Sequence, residues 1–323
     1  VALTPSASRD RRGLAEALIG DGRPVLTFTG LALAACGGFA LFQSATGHFL
    51  PHDVAYLGMD ARALCSLQGC RIVHFMFHDR VAFGGVLIAV GLLYAWLSEF
   101  PLRAGEAWAW RAFAWSGACG FASFLTYIGY GYLDTWHGAA TLVLLALFAL
   151  GLGRSRRAVA DSDWTKPRPL RSLDPGRLIL LATGLGLLGA GLTISIVGST
   201  MVFVPQDLTF MGLSAADLRA INPRLVPLIA HDRAGFGGAL VTCGVTWLFC
   251  VFYGAPSRSL WQALLLAGIA GFGCAIGIHA IIGYLDLVHL APALLGAALF
   301  AVAMVLSFKP MCGSNARPAG SRA

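Results

Sequence analysis

The stretch His78-Asp79-Arg80-Val81-Ala82-Phe83-Gly84-Gly85 puts three ionisable residues at the mouth of an apolar run that continues to Ser98. It returns as His231-Asp232-Arg233-Ala234-Gly235-Phe236-Gly237-Gly238, again leading into an apolar run. Two further landmarks recur in the same order. Pro51-x-Asp53 with Gly58 returns as Pro205-x-Asp207 with Gly212, and Gly131-Tyr132-Leu133-Asp134-x-x-His137 returns as Gly283-Tyr284-Leu285-Asp286-x-x-His289. The offset is 153 positions for His78, 154 for Asp53 and 152 for Tyr132. A period of that length marks a duplicated unit rather than a short solenoid repeat.

Composition decides what kind of unit it is. Hydrophobic residues make up 57% of the chain and charged ones 12%, with a mean hydropathy of +0.72. Soluble domains carry about 25% charged residues. Apolar stretches near 24–47, 81–98, 112–131, 138–153, 178–204, 234–253, 260–285 and 290–308 are each long enough, or nearly so, to cross a hydrocarbon core of about 30 Å. Helices satisfy their own backbone in lipid, and the stretches are too long and continuous for barrel strands. The expectation is an all-α integral membrane protein with eight transmembrane helices, arranged as two tandem, parallel-oriented four-helix repeats. The first stretch has its counterpart mid-chain at 178–204, so it is read as a retained helix rather than a signal peptide.

The expected organisation is a cytoplasmic N-terminal arm (1–23), repeat 1 (24–153), a cytoplasmic linker (154–177), repeat 2 (178–308) and a disordered cytoplasmic tail (309–323). The net charge of +7 and pI near 9.2 could suggest nucleic acid, but the excess sits in the arm, the linker and the tail. The positive-inside rule therefore places those segments, and both termini, on the cytoplasmic side of an inner or plasma membrane. The expected partners are the lipid bilayer and a small ligand, with no nucleic acid. Four helices per repeat give both halves the same orientation.

Of the cysteines, Cys65 and Cys70 fall in the first outer loop. There Gln68-Gly69 permits a turn and a disulfide is chemically allowed. Cys36, Cys119, Cys243, Cys250 and Cys274 lie within apolar stretches and read as packing residues. Trp108, Trp110, Trp115 and Trp261 flank helix starts and read as an interfacial belt.

The duplicated polar residues need a reason, because a charge at a helix centre costs roughly 2.5–3.5 kcal/mol on insertion scales, less near the interface. Alternating helix direction brings all the motifs to the outer end, where each half would form its own pocket. Asp134 and His137 share a helical face, and the glycines of Phe-Gly-Gly let a second backbone approach. The loops at 48–60 and 203–213 would fold over the pockets. Asp53 and Asp207 would then stand at the rim beside Tyr132 and Tyr284.

Four readings follow. In a structural clasp, Arg80 pairs with Asp134, and His78 with Asp79 or a loop carbonyl. In a metal site, His78, Asp134 and His137 in one half, and His231, Asp286 and His289 in the other, ligate Zn, Fe or Mn. Asp79 and Asp232 then ligate or act as catalytic base, and Arg80 and Arg233 hold an anionic group of an extracytoplasmic or lipid substrate. In a proton- or ion-coupled transporter the same groups carry protons or substrate, and His279 lies deeper on the face of Asp286, with Tyr127 as its match. A bis-histidine haem fits less well, because it needs neither the Asp nor the Arg. His48, His52 and His74 occur only in the first half, and His74 lies one turn before His78. No phosphate-binding loop, dinucleotide fingerprint or nucleophile elbow is present.

Overall fold

The computed structural model describes residues 13–130, 132, 135–159 and 173–313. In chain order its α-helices are α1 (Leu14–Ile19), α2 (Arg23–Ala45), α3 (Pro51–Leu57), α4 (Ala61–Cys65), α5 (Arg71–Leu97), α6 (Ala107–Ser123), α7 (Thr135–Ser155), α8 (Pro175–Ser199), α9 (Pro205–Met211), α10 (Ala215–Ile221), α11 (Leu225–Tyr253), α12 (Arg258–Ile282) and α13 (Leu287–Cys312). Among the described residues there is no strand. Among the same residues seven helices, namely α2, α5, α7, α8, α11, α12 and α13, are long and apolar enough to cross a membrane.

The expected eighth span, 112–131, is not one continuous α-helix. α6 stops after 17 residues, and Phe124–Tyr130 winds on as a 3₁₀ helix. At the junction the Ser123 hydroxyl donates to the Gly120 carbonyl and Thr126 to the Ser123 carbonyl. Such back-bonding competes with the regular helical ladder. The expected tail also starts late, since α13 carries Lys309 to Cys312 within the helix. Residues 1–12, 160–172 and 314–323, which hold most of the basic arm, linker and tail, lie outside the described residues.

α5 and α11 form the centre: 67% of each span is buried, against 11–28% for the other five. The outer helices turn residues such as Phe42, Leu185, Ile281 and Val305 outward, as lipid-facing helices do. The packing order matters for everything below. α5 lies against α2 and α12, α11 lies against α8 and α6, and α5 and α11 touch each other. Each central helix therefore packs on a helix from the opposite half of the chain.

The repeated Phe-Gly-Gly segments make these contacts possible. A Cβ on Gly84 would stand 2.9 Å from the Gly37 carbonyl of α2, and one on Gly85 2.7 Å from the Ala270 carbonyl of α12. A Cβ on Gly237 would likewise meet the Gly191 carbonyl of α8 at 2.9 Å. Side chains are excluded here by backbone, which cannot yield as a rotamer can. Gly85→Val is expected to force α5 from α12 and destabilise the fold by about 1–3 kcal/mol. Melting in detergent checks this: Gly58→Val, in an open turn, is the wrong control because Gly58 has a φ of +69°, whereas Gly273→Ala meets nothing within 4 Å and should be near neutral.

One end of the bundle carries a cap. The short helices α3, α4, α9 and α10 bury Phe49, Leu57, Leu64, Met211 and Leu218 against Ile72, Phe75, Leu225 and Ile229 at the starts of α5 and α11. Farther along, Ala82 and Val86 of α5 and Phe236 and Leu240 of α11 join the main bundle core. The His-Asp-Arg triplets lie between these two apolar clusters. The caps also cross halves: Arg224 donates to the Tyr56 carbonyl at 2.5 Å, Asn222 to the Leu57 carbonyl at 2.8 Å and Arg71 to the Phe210 carbonyl at 3.4 Å.

Cys65 and Cys70 form a disulfide that ties α4 to the start of α5, with Gly69 at φ 57° in the turn. The second half uses a capping box instead. Ser214 and Asp217 bond reciprocally at the start of α10, and the Ser214 hydrogen bonds hold the Asp217 carboxyl below its ordinary value. Of the tryptophans expected in a belt, Trp108 is instead a core residue, 2% exposed, between Trp96 and Tyr253. Trp110 and Trp261 donate to the Leu152 and Met304 carbonyls, and Trp115 is exposed.

Candidate metal centre

Neighbouring helical residues point about 100° apart, and Asp79 and Arg80 turn their charges toward α11 rather than toward each other. They pair across the α5–α11 contact instead. Arg80 Nε donates to Asp232 Oδ2 at 2.8 Å, and Arg233 Nε donates to Asp79 Oδ2 at 3.0 Å. The second branch of each guanidinium reaches the capping helix of its own half: Arg80 to Asp53 at 2.8 Å, Arg233 to Asp207 at 2.6 Å. A tyrosine completes each set, Tyr132 donating to Asp53 at 2.6 Å and Tyr284 to Asp207 at 2.9 Å. Asp53, Asp207, Tyr132 and Tyr284 are all buried, 0–4% exposed, so they form the interior of the site rather than its rim. Arg80 is held by Asp53 and Asp232; the Arg80–Asp134 pair of the clasp reading involves Asp134, which lies outside the described residues.

The histidines follow the same crossing. His78 meets imidazoles of the second half. His78 Nε2 stands 3.1 Å from His279 Nε2, and one nitrogen from each of His78, His279 and His289 lies within 4.8 Å of the others. His231 meets the first half: its ring stands 6.0 Å from that of His137 and 4.9 Å from Tyr132. Thus the expected within-repeat groupings, His78 with His137 and His231 with His289, are exchanged. The cause is the packing of α5 on α12 and of α11 on α6.

The protons in the first cluster can be placed. A carboxylate and a carbonyl only accept, so the 3.0 Å contact of His78 Nδ1 with Asp79 Oδ1, and the 2.6 Å contact of His279 Nδ1 with the Ala275 carbonyl, put a proton on each Nδ1. The two Nε2 atoms then face each other at 3.1 Å, a contact that is attractive only with a cation between them, either a shared proton or a metal ion. Two nitrogens bound to one tetrahedral zinc at about 2.0–2.1 Å stand about 3.3 Å apart, close to what is found here. An Nδ1–H held by carboxylate or carbonyl is also the usual support of a metal-bound imidazole.

Asp286 takes no part in the cluster. It is exposed and caps α13, accepting from the His289 amide at 2.8 Å, and His279 stands where the sequence suggested an acidic ligand. His289 also leans on Asp207, at 3.8 Å. His74 is half-buried on α5 and is not one of the three converging imidazoles. Nothing in the local sequence of α12 singles out His279 as a ligand. Its signal was its solitary position, a basic side chain within an apolar span.

No family model matches the chain, and neither does any curated protein or solved structure. The functional reading therefore rests on the chemistry of the site. The Asp and Arg residues saturate one another: both oxygens of Asp79 and both reaching branches of Arg233 are engaged. They position and hold. The ring nitrogens of His78, His279 and His289 are the ones that converge.

Proposed function

We propose that the chain is a multi-pass membrane metalloprotein that holds a divalent ion of the zinc, iron or manganese class on His78, His279 and His289. The observation that carries this reading is the 3.1 Å approach of the two Nε2 atoms beside His289, with both Nδ1 atoms turned to acceptors. Three nitrogen ligands leave a fourth position for water or a small ligand, the ligand pattern of catalytic rather than structural zinc. Charge points the same way. Asp79 and Asp207 against Arg233 leave one negative charge on the cluster, so a divalent ion overshoots by one and favours an anionic fourth ligand. Asp79 orients His78, and Arg233 orients Asp79 and Asp207; neither is free to act as base or substrate clamp.

The architecture in this proposal is two parallel four-helix repeats, α2–α5–α6–α7 and α8–α11–α12–α13, with α6 as the eighth, shorter span. Arg154, Arg156, Arg157 and Lys309 lie at helix ends remote in sequence from the cap. The positive-inside rule makes their side cytoplasmic, and the capped site extracytoplasmic.

Elemental analysis of the purified protein tests the site. His279→Ala and His289→Ala are each expected to lower the metal content by one equivalent per chain while the variants still elute as folded protein. A folded wild type with no bound metal would sink the reading. A second reading has its own observation, since one shared proton between His78 and His279 would also neutralise the cluster. In that case metal-free protein in vesicles would show pH-driven uptake that His279→Ala abolishes.

A further inference from the structure

The three converging imidazoles are not equally covered. His78 and His279 are buried, whereas the His289 side chain is 19% exposed. On the α5 side the Phe75 ring stacks on His78 at 6.0 Å. On the capped side Phe210 of α9 stacks on Tyr284 at 4.5 Å, and Tyr284 stacks on His289 at 4.6 Å. The cap thus closes the direct approach from water with an aromatic layer. The cluster reaches the surface through His289, beside the turn at 283–286 that joins α12 to α13.

That surface is apolar. Ile281, Leu285, Leu287 and Val288 are 61–81% exposed around the turn, and Asp286 is engaged as the cap of α13. Val288 and Leu295, seven residues apart, continue an exposed apolar face along α13. Side chains of this kind are at home in lipid, so His289 emerges at the membrane rather than in water. Charge adds a second constraint. Asp79 and Asp207 against Arg233 leave one negative charge, so a cluster loaded with a divalent ion is positive and takes an anion. A small hydrated anion loses its hydration on crossing an apolar surface. An anionic head on a hydrocarbon chain does not meet the same barrier, because its chain remains in lipid throughout.

We propose that the ligand of this site is an anionic amphiphile drawn from the leaflet on the capped side of the membrane. Its phosphate or carboxylate oxygen takes the fourth position on the metal beside His289, and its chain lies along Leu285, Val288 and Leu295. This names the substrate class for the metal reading of His78, His279 and His289 and rests on that reading. Entry is lateral, past the α12–α13 turn, and the cap stays closed.

Cobalt(II) in place of the native ion gives the readout, because its absorption responds to a change of the fourth ligand. The purified full chain in detergent, treated with chelator and loaded with one equivalent of cobalt, is titrated with dodecyl phosphate and dodecanoate, and with inorganic phosphate and acetate. At least one long-chain anion is expected to shift the spectrum at a concentration about 100-fold below its chainless counterpart. Leu285→Ser with Val288→Ser should raise that concentration about tenfold, with the cobalt content and the response to the chainless anions unchanged. Val305→Ser, 74% exposed farther along α13, should change nothing and so controls for partition into the micelle. Bound cobalt with equal responses to long-chain and chainless anions, with no response to any of them, or with a long-chain response indifferent to Leu285→Ser and Val288→Ser overturns lateral entry and leaves the metal reading standing. Cobalt that fails to bind, or that survives His289→Ala, overturns the metal reading and this proposal with it.

Discussion

Asp207→Ala is expected to lower the thermal stability of the protein more than any single truncation on its lipid-facing helices. The carboxylate is 0% exposed and carries three interactions, from Arg233 at 2.6 Å, from the Tyr284 hydroxyl at 2.9 Å and from the Val204 amide at 2.9 Å. Its removal leaves a buried guanidinium short of a counter-charge and two donors without an acceptor. Breaking a buried ion pair on one side costs about 3–5 kcal/mol, far more than the intact pair contributes over an apolar replacement. For a chain of this size that is a fall in Tm on the order of 10 °C. Asp53→Ala should behave alike, because Arg80 and Tyr132 depend on it in the same way. A fall of under about 3 °C for both, by tryptophan-fluorescence melting in detergent, would show that these buried pairs are not what holds the caps to the central helices. Replacing Asp79, Asp207 and Arg233 together by Leu, Leu and Met should recover much of the loss, since no charge is then left unpaired.

On the proposed metal site of His78, His279 and His289, Asp79→Asn is expected to weaken zinc binding by about 10–100-fold, the usual effect of altering the group behind a metal-bound imidazole. The amide is nearly isosteric but uncharged. Its oxygen can still accept from His78, yet its NH₂ then faces the Arg233 Nε–H, donor against donor, where Asp79 Oδ2 accepts at 3.0 Å. The imidazole loses the neighbouring charge that raises its basicity, and the side chain that orients it loses its anchor on Arg233. Competition with a zinc-binding dye measures the change. An unchanged affinity in a folded variant would mean that His78 is not a ligand. In the wild type, affinity should decline as the pH is lowered, because imidazole ligates only when neutral.

Much of this was legible in the residues. Long apolar runs without polar backbone partners can only be helices in lipid, and α2, α5, α7, α8, α11, α12 and α13 correspond to such runs. The run at 112–131 was legible as apolar but not as interrupted, because Ser123 and Thr126 act through backbone carbonyls that no hydropathy average detects. The Phe-Gly-Gly segments announced close helix contacts, and Gly84, Gly85 and Gly237 do meet neighbouring backbones. That Asp53 and Asp207 belong with the His-Asp-Arg triplets was readable from their recurrence. Their burial was not, because it depends on where α3 and α9 fold down.

What the sequence determined by itself was therefore a set of helices and a set of polar groups gathered at one end. These follow from period and composition, which are local. What the tertiary structure alone decided was the choice of partners: Arg80 with Asp232, His78 with His279 and His289, His231 with His137, and Asp286 left outside as a helix cap. The physical reason is that periodicity fixes which face a residue occupies on its own helix, while the neighbour that face meets depends on packing between segments some 150–200 positions apart. Here the glycine-lined faces of α5 and α11 admit a helix from the opposite half, and that preference exchanges the Arg80–Asp232, Arg233–Asp79 and His78–His279 pairings, while Asp53 and Asp207 stay with the arginine and tyrosine of their own half.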